Sequence, residues 1–129
     1  MNLNQTVVFV CEHGAAKSVL AAAYFNQLAH KMGLNLRAAA RGIDPDEKLS
    51  PQAIKGLSED GLTPTESVPQ KLAEADIQSA QRVVTFGELP IEHHGQATIE
   101  RWDDIPPVSE NYAQARDAIL ARIRQMLDR

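Results

Sequence analysis

Cysteine is almost missing from this chain of 129 residues: Cys11 stands alone, so neither an internal disulfide nor a cysteine-built zinc cage can form. A lone thiol is either core filler or a reactive group. Aromatic residues are only 5%, which leaves Val, Ile, Leu and Ala to build the core and gives little material for base-stacking platforms. Positive charge is in deficit, with 13 Lys plus Arg against 17 Asp plus Glu and a formal charge of -4. That balance argues against a broad nucleic-acid-binding face, while leaving room for a small local anion site. No apolar run approaches the roughly 20 residues of a membrane span, and no basic stretch precedes the first short apolar run. The expectation is a cytoplasmic protein with neither a nucleic acid nor a membrane as partner.

The composition that remains is globular. Hydrophobic residues make up 43% and charged residues 23%, far from the low-hydrophobicity, high-charge range in which chains stay disordered. The length suits one domain over residues 1–129. Thr6 to Val10 (TVVFV) is a continuous β-branched apolar run, the form of a strand buried on both faces of a parallel sheet. Ser18 to about Met32 reads as a helix, with Leu20, Tyr24, Leu28 and Met32 at spacing four and Gly33 as its stop. Leu36 to Arg41 is a second strand, and Gly42-Ile43-Asp44-Pro45 a turn. Ser50-Pro51 begins a helix that ends near Gly61, and a short helix follows over about Gln70 to Ile77. Arg82 to Phe86 (RVVTF) is another buried-type strand, Gly87 to Gly95 a loop or short helix, and Ala97 to Trp102 an edge strand. A last helix starts near Ser109 and places Tyr112, Ala115, Ile119, Ile123 and Met126 on one face. This alternation predicts an α/β fold: a three-layer open sheet of about four mainly parallel strands with helices on both faces.

In such sheets ligands bind beyond the carboxyl ends of the strands. Here the first strand runs directly into Cys11-Glu12-His13-Gly14-Ala15-Ala16-Lys17-Ser18 and then a helix. The small residues let successive backbone N–H groups turn inward, and the helix adds its own unpaired N–H groups and the positive end of its dipole. The loop therefore suits a dianion such as phosphate, and the same field favours the thiolate of Cys11, a nucleophile. The nucleotide-triphosphate P-loop also ends in Lys-Ser, but Cys11 and Ala16 would occupy its two glycine positions, and no acidic strand end for magnesium is evident.

The run VVFVC, followed by five residues, a basic residue and Ser18, resembles the phosphate-binding loop of the low-molecular-weight protein tyrosine phosphatases and the arsenate reductases that share their fold. RVVTFG at Arg82 to Gly87 and RWDDIPP at Arg101 to Pro107 fall where that family has a later strand and its Asp-Pro loop. The resemblance implies a phosphotyrosine phosphatase I-like fold, with Cys11 as nucleophile, Ser18 as the hydroxyl that stabilises its thiolate, and Lys17 at the position of the phosphate-clamping arginine. Residues Glu12, His13, Gly14, Ala15, Ala16, Lys17 and Ser18 would then hold the phosphate. Four departures accompany it. Lysine keeps the charge but not the planar bidentate contact, which weakens the clamp. His13 stands where the family has glycine, and Gly14 where it has a bracing asparagine. The acid before proline is also displaced, because a simple alignment puts Pro106 there, ahead of Pro107. Asp103 or Asp104 could serve if the loop is shifted, and His13 is a third candidate proton donor.

Each residue also has a plainer reading. Cys11 could be core filler, Glu12 and Lys17 solvated charges, Asp103 and Asp104 a polar turn, and Trp102 and Tyr112 packing residues. His93 and His94 are adjacent, so their side chains diverge and make a poor metal pair. Three functions follow from the loop: hydrolysis of a phosphomonoester without any cofactor, non-catalytic binding of phosphate or another oxyanion, and arsenate reduction. The last would need an external thiol, since no second cysteine exists for an internal relay.

Overall fold

The computed structural model describes residues 5–87, 89 and 97–128. Strand β1 (Gln5–Cys11) is followed by helix α1 (Lys17–Lys31), strand β2 (Leu36–Gly42), helices α2 (Pro51–Glu59) and α3 (Glu74–Ser79), strands β3 (Arg82–Thr85) and β4 (Thr98–Arg101), and helix α4 (Tyr112–Leu127). The strands form one sheet in the order β2-β1-β3-β4, and every pairing is parallel. Phe9 sits between Ala40 on β2 and Val84 on β3. This central place explains the unbroken apolar run of β1, because its side chains are buried on both faces.

Val7, Phe9 and Val84 face a core closed by α1, α2 and α4, whereas Val8, Val10 and Val83 pack with Ile77 of α3, Leu72 and Ala80 on the other side. The expected three layers are therefore present. Ala38 and Ala40 of β2 are small and buried in the core shared with the Ala-rich face of α1, and close approach of helix and sheet follows from their size. The outer edge of β2 is met by Asn26 of α1, whose amide accepts from the Ala38 N–H at 2.7 Å and donates to its carbonyl at 3.2 Å. Two edge groups are thus satisfied within the molecule rather than left to pair with another chain. Phe9 touches Phe25, Phe86 and Trp102, with centroids 5.9, 6.5 and 5.7 Å away, and Trp102 is a buried packing residue as expected.

Several boundaries differ from expectation for identifiable reasons. The third helix begins at Glu74 rather than near Gln70, because the chain at 70–72 runs along the end of β2. There the Gly42 N–H donates to the Gln70 carbonyl at 2.8 Å, and the Leu72 N–H donates to the Gly42 carbonyl at 2.9 Å. The last helix begins at Tyr112, not near Ser109, with Asn111 as its cap accepting from the Gln114 N–H at 3.0 Å. Met32 falls beyond the end of α1 and is exposed, since the chain turns at Gly33 with φ +70°. Tyr112 is half-buried and bonds to the Tyr24 hydroxyl at 2.7 Å. His93 and His94, and most of the segment from Gly87 to Gly95, lie outside the described residues.

Candidate active site

The carboxyl end of β1 delivers Cys11 to the mouth of a loop, residues 12–16, that leads into α1. A strap of residues 43–50 runs beside this loop and takes its carbonyls. The N–H groups of Ile43, Asp44, Asp46 and Ser50 donate to the carbonyls of Cys11, Glu12, His13 and Ala15 at 2.8–3.1 Å, and Leu20 of α1 donates to Ala16. In a trans peptide the carbonyl and the next N–H point in opposite directions. Fixing these five carbonyls outward therefore turns the N–H groups of Glu12, His13, Gly14, Ala16 and Lys17 the other way. Among the described residues none of those amides donates a backbone hydrogen bond. Ala16 offers α1 no side-chain cap, and no acidic residue stands in the first turn. A ring of unpaired donors at an uncapped helix N-terminus is an anion cradle.

Gly14 makes the turn possible, with φ +60°, a conformation glycine adopts at little cost. The Ser18 side chain is wholly buried, and its Oγ lies 3.0 Å from Cys11 Sγ. A hydroxyl at that distance can donate to a thiolate and hold its charge. Cys11 itself is half-buried and lines a cleft of about 800 Å³. On the loop side the cleft is bounded by Glu12, His13, Ala15, Ala16 and Lys17; the strap contributes Asp46 to Ser50, and Phe86, Pro107 and Val108 form an apolar wall. His13 Nδ1 stands 3.3 Å from Asp46 Oδ1, both side chains being more than half exposed at the rim. Holding Nδ1 on a carboxylate leaves Nε2 as the ring's other proton site.

The structure brings Cys11, Lys17 and Ser18 together at the first loop, with Gly14 and Ser18 forming its buried back. The two candidate acids do not join it. Asp103 is drawn to Arg101 at 2.7 Å, while Asp104 accepts two bonds of 2.7 Å from Arg122 on α4, and neither lines the cleft. The Arg122 hydrogen bonds hold the Asp104 carboxyl below the usual carboxylate range. The same connector reaches the cleft only later, with Pro107, Val108 and Ser109. Sequence reading missed the strap, Gly42 and Phe86 as parts of the site. A Gly-x-Asp-Pro turn after β2 was the signal for the strap and Gly42, and a place just beyond the carboxyl end of β3 the signal for Phe86, and neither says what lies beside it. Among the described residues no group of three His, Cys, Asp or Glu could hold a metal ion, and no helix is long and apolar enough to cross a membrane.

The family model described as "Low molecular weight phosphotyrosine protein phosphatase" matches residues 6–118. The chain belongs to that family. It is 30% identical over 82 residues to the protein-arginine-phosphatase of Bacillus subtilis, a match covering 62% of this chain and 54% of the relative. The chain thus spans about half the length of that curated relative. Its fold is similar to a low molecular weight protein tyrosine phosphatase from Bacillus subtilis, with a TM-score of 0.79 and 22% identity over 96% of this chain and 95% of that one. It is similar also to a thioredoxin-dependent arsenate reductase of Corynebacterium glutamicum, with a TM-score of 0.77 and 23% identity over 96% of this chain and 60% of that one. In the loop between β1 and α1, Lys17 lines the cleft just before Ser18, and His13 stands at its rim.

Proposed function

We propose that the protein is a phosphatase that hydrolyses a phosphomonoester through a cysteinyl-phosphate on Cys11. The observation that carries the reading is the 3.0 Å approach of Ser18 Oγ to Cys11 Sγ at the mouth of a cradle of unpaired amides. A thiolate there faces a bound phosphoryl group whose equatorial oxygens meet the loop amides and the Lys17 ammonium. Sulfur attacks phosphorus as the bond to the leaving oxygen breaks, and His13, oriented by Asp46, gives that oxygen a proton. Water then attacks the cysteinyl-phosphate, returning the proton to His13, and the departing thiolate is held by Ser18. No cofactor enters. Lys17 neutralises charge without a bidentate grip, so turnover is slow compared with a loop that carries arginine.

Hydrolysis of an aryl phosphate from about pH 5 to 8, compared among wild type, Cys11→Ser and Lys17→Arg, tests this reading. Turnover that vanishes in Cys11→Ser and rises in Lys17→Arg is expected. Saturable phosphate binding without any Cys11-dependent turnover would replace it with a non-catalytic oxyanion-binding protein. Arsenate-dependent oxidation of an added thiol, dependent on Cys11, would instead assign an arsenate reductase with an external reductant.

A further inference from the structure

Three helices start near the cleft, and Tyr112 touches all of them. Helix α1 begins at Lys17 beside the cradle, α2 begins at Pro51 directly after the strap, and α4 begins at Tyr112, just beyond the last cleft-lining residue of the connector, Ser109. The Tyr112 ring lies so close to Gly56 of α2 that a Cβ there would collide with it. Its hydroxyl lies 2.7 Å from that of Tyr24 on α1. Tyr24 gives its own proton to Asp60, and a phenol has only one to give, so Tyr112 is the donor of this bond. Tyr112 is also tied to the cleft wall. The Pro107 carbonyl accepts from the N–H groups of Glu110 at 3.2 Å and Asn111 at 3.3 Å, and Asn111 caps α4. Pro107, part of the apolar wall, is therefore bonded to the residue just before Tyr112. Trp102, Ile105 and Val108 are buried and seat the connector on one side. On the other side residues 109–111 are exposed, which makes Tyr112 the next anchor along the chain.

We infer that Tyr112 is a positioning residue: through Asn111 it sets where Pro107 and the adjoining wall stand relative to the cradle on α1, and so how closely the cleft holds the group that carries the phosphate. The inference rests on the phosphatase reading of the cleft and adds to it a residue that does not line the cleft. The carbonyls that shape the cradle are held by the strap and by Leu20 of α1, not by α4. A shift of Tyr112 therefore moves the wall and leaves the phosphoryl pocket in place. The wall is apolar, so the organic part of a ligand gains from burial against it. Inorganic phosphate, which ends at the cradle, gains nothing there.

Calorimetric titration with inorganic phosphate and with phenylphosphonate separates cradle from wall, and aryl phosphate hydrolysis adds the split between KM and kcat. The proteins are wild type, Tyr112→Phe, Gly56→Ala and Ile77→Val. Tyr112→Phe keeps the ring and loses only the donor, while Gly56→Ala displaces the ring from α2. Ile77→Val loosens the core on the opposite side of the sheet and controls for lost stability. In Tyr112→Phe and Gly56→Ala the phenylphosphonate dissociation constant and the aryl phosphate KM are expected to rise about fivefold, the loss that follows when apolar contact is loosened. Phosphate affinity and kcat should stay within about twofold of wild type, as for contacts made equally in ground and transition state. Ile77→Val should leave both ligands bound as in wild type. Equal losses for the two ligands, unchanged phenylphosphonate binding in Tyr112→Phe, or the same selective loss in Ile77→Val would overturn the inference, and Cys11-dependent turnover would still uphold the phosphatase reading. A selective loss of phenylphosphonate in a protein without Cys11-dependent turnover would sink that reading and keep Tyr112 as the residue that places the wall.

Discussion

Gly14 of the loop between β1 and α1 and Gly42 at the end of β2 lie back to back with no room for a side chain on either. A Cβ on Gly14 would stand 2.8 Å from Gly42 Cα, and one on Gly42 would stand 2.7 Å from the Gly14 amide nitrogen. The strap that orients the loop amides begins at this contact, so the packing of two glycines sets the cradle's depth. Gly42→Ala is expected to push strap and loop apart, costing about 1–3 kcal/mol as an overpacking change. Phosphate affinity should fall more than tenfold with it. Gly87→Ala, where a Cβ would meet nothing within 4 Å, should stay within about 0.5 kcal/mol. Denaturant unfolding and calorimetric titration with inorganic phosphate measure both; unchanged phosphate affinity in Gly42→Ala would separate loop shape from this contact.

Ser18 has no route to solvent, and its hydroxyl is aimed at sulfur. If Cys11 departs from phosphorus as a thiolate, Ser18→Ala takes away the hydroxyl 3.0 Å from its sulfur at that moment. A hydrogen bond to a charged group contributes about 1.5–3 kcal/mol, which corresponds to roughly a tenfold to hundredfold loss in rate. Ser18→Ala should show that loss in kcat, with release of the cysteinyl-phosphate slowed and burst amplitude retained. Equal kcat in wild type and Ser18→Ala would mean that the loop amides alone stabilise the thiolate.

The parts of this architecture written locally were legible in the sequence. TVVFV announces a central strand because burial on both faces demands an unbroken apolar run, and Ser50-Pro51 announces a helix start because cap and first-turn chemistry depend on neighbours in sequence. Cys11, Lys17 and Ser18 were readable for the same reason, since a single loop holds them. The partners of that loop were not. Asp46 meets His13 only because β2 delivers the strap alongside, and nothing at positions 43–50 states which carbonyls it will take. Asp103 and Asp104 stand near the family's acid in sequence, but in the structure their carboxylates pair with Arg101 and Arg122, contacts that local sequence does not state. The third helix started late because Gly42 drew residues 70–72 into pairing, a tertiary contact that local propensity does not encode.

Tyr24 links three helices. Its hydroxyl donates to Asp60 Oδ2 at the end of α2, at 2.5 Å, and lies 2.7 Å from the Tyr112 hydroxyl on α4. Burial, then the hydrogen bonds to Asp60 and Tyr112, push its phenol above the ordinary tyrosine range. The folded state therefore keeps a proton that the unfolded chain releases near pH 10. This contribution is fully present below that pH and is lost as pH climbs above it. Tyr24→Phe should cost about 1–3 kcal/mol at neutral pH through its unpaired partners. It should also flatten the decline of stability between about pH 10 and 11.5, measured by urea unfolding at each pH. An alkaline decline as steep in the variant as in wild type would assign it to other groups.

His13 and Asp46 are paired at the cleft rim, 3.3 Å apart, while Asp103 and Asp104 do not line the cleft, so variants can tell the two sets apart. If His13 protonates the leaving oxygen, it must carry a proton for the first step, and the rate depends on that donor. His13→Gln should then lower turnover about 10²- to 10⁴-fold, the usual contribution of a positioned acid. The loss should be smaller for a nitrophenyl leaving group, which departs without a proton, than for an alkyl one. Asp103→Asn and Asp104→Asn should leave the rate as it is, since their carboxylates serve Arg101 and Arg122. Were Asp104→Asn to abolish turnover while His13→Gln preserved it, the connector after β4 would have to swing its acid off Arg122 and into the cleft during turnover, and the acid would lie there rather than on the loop.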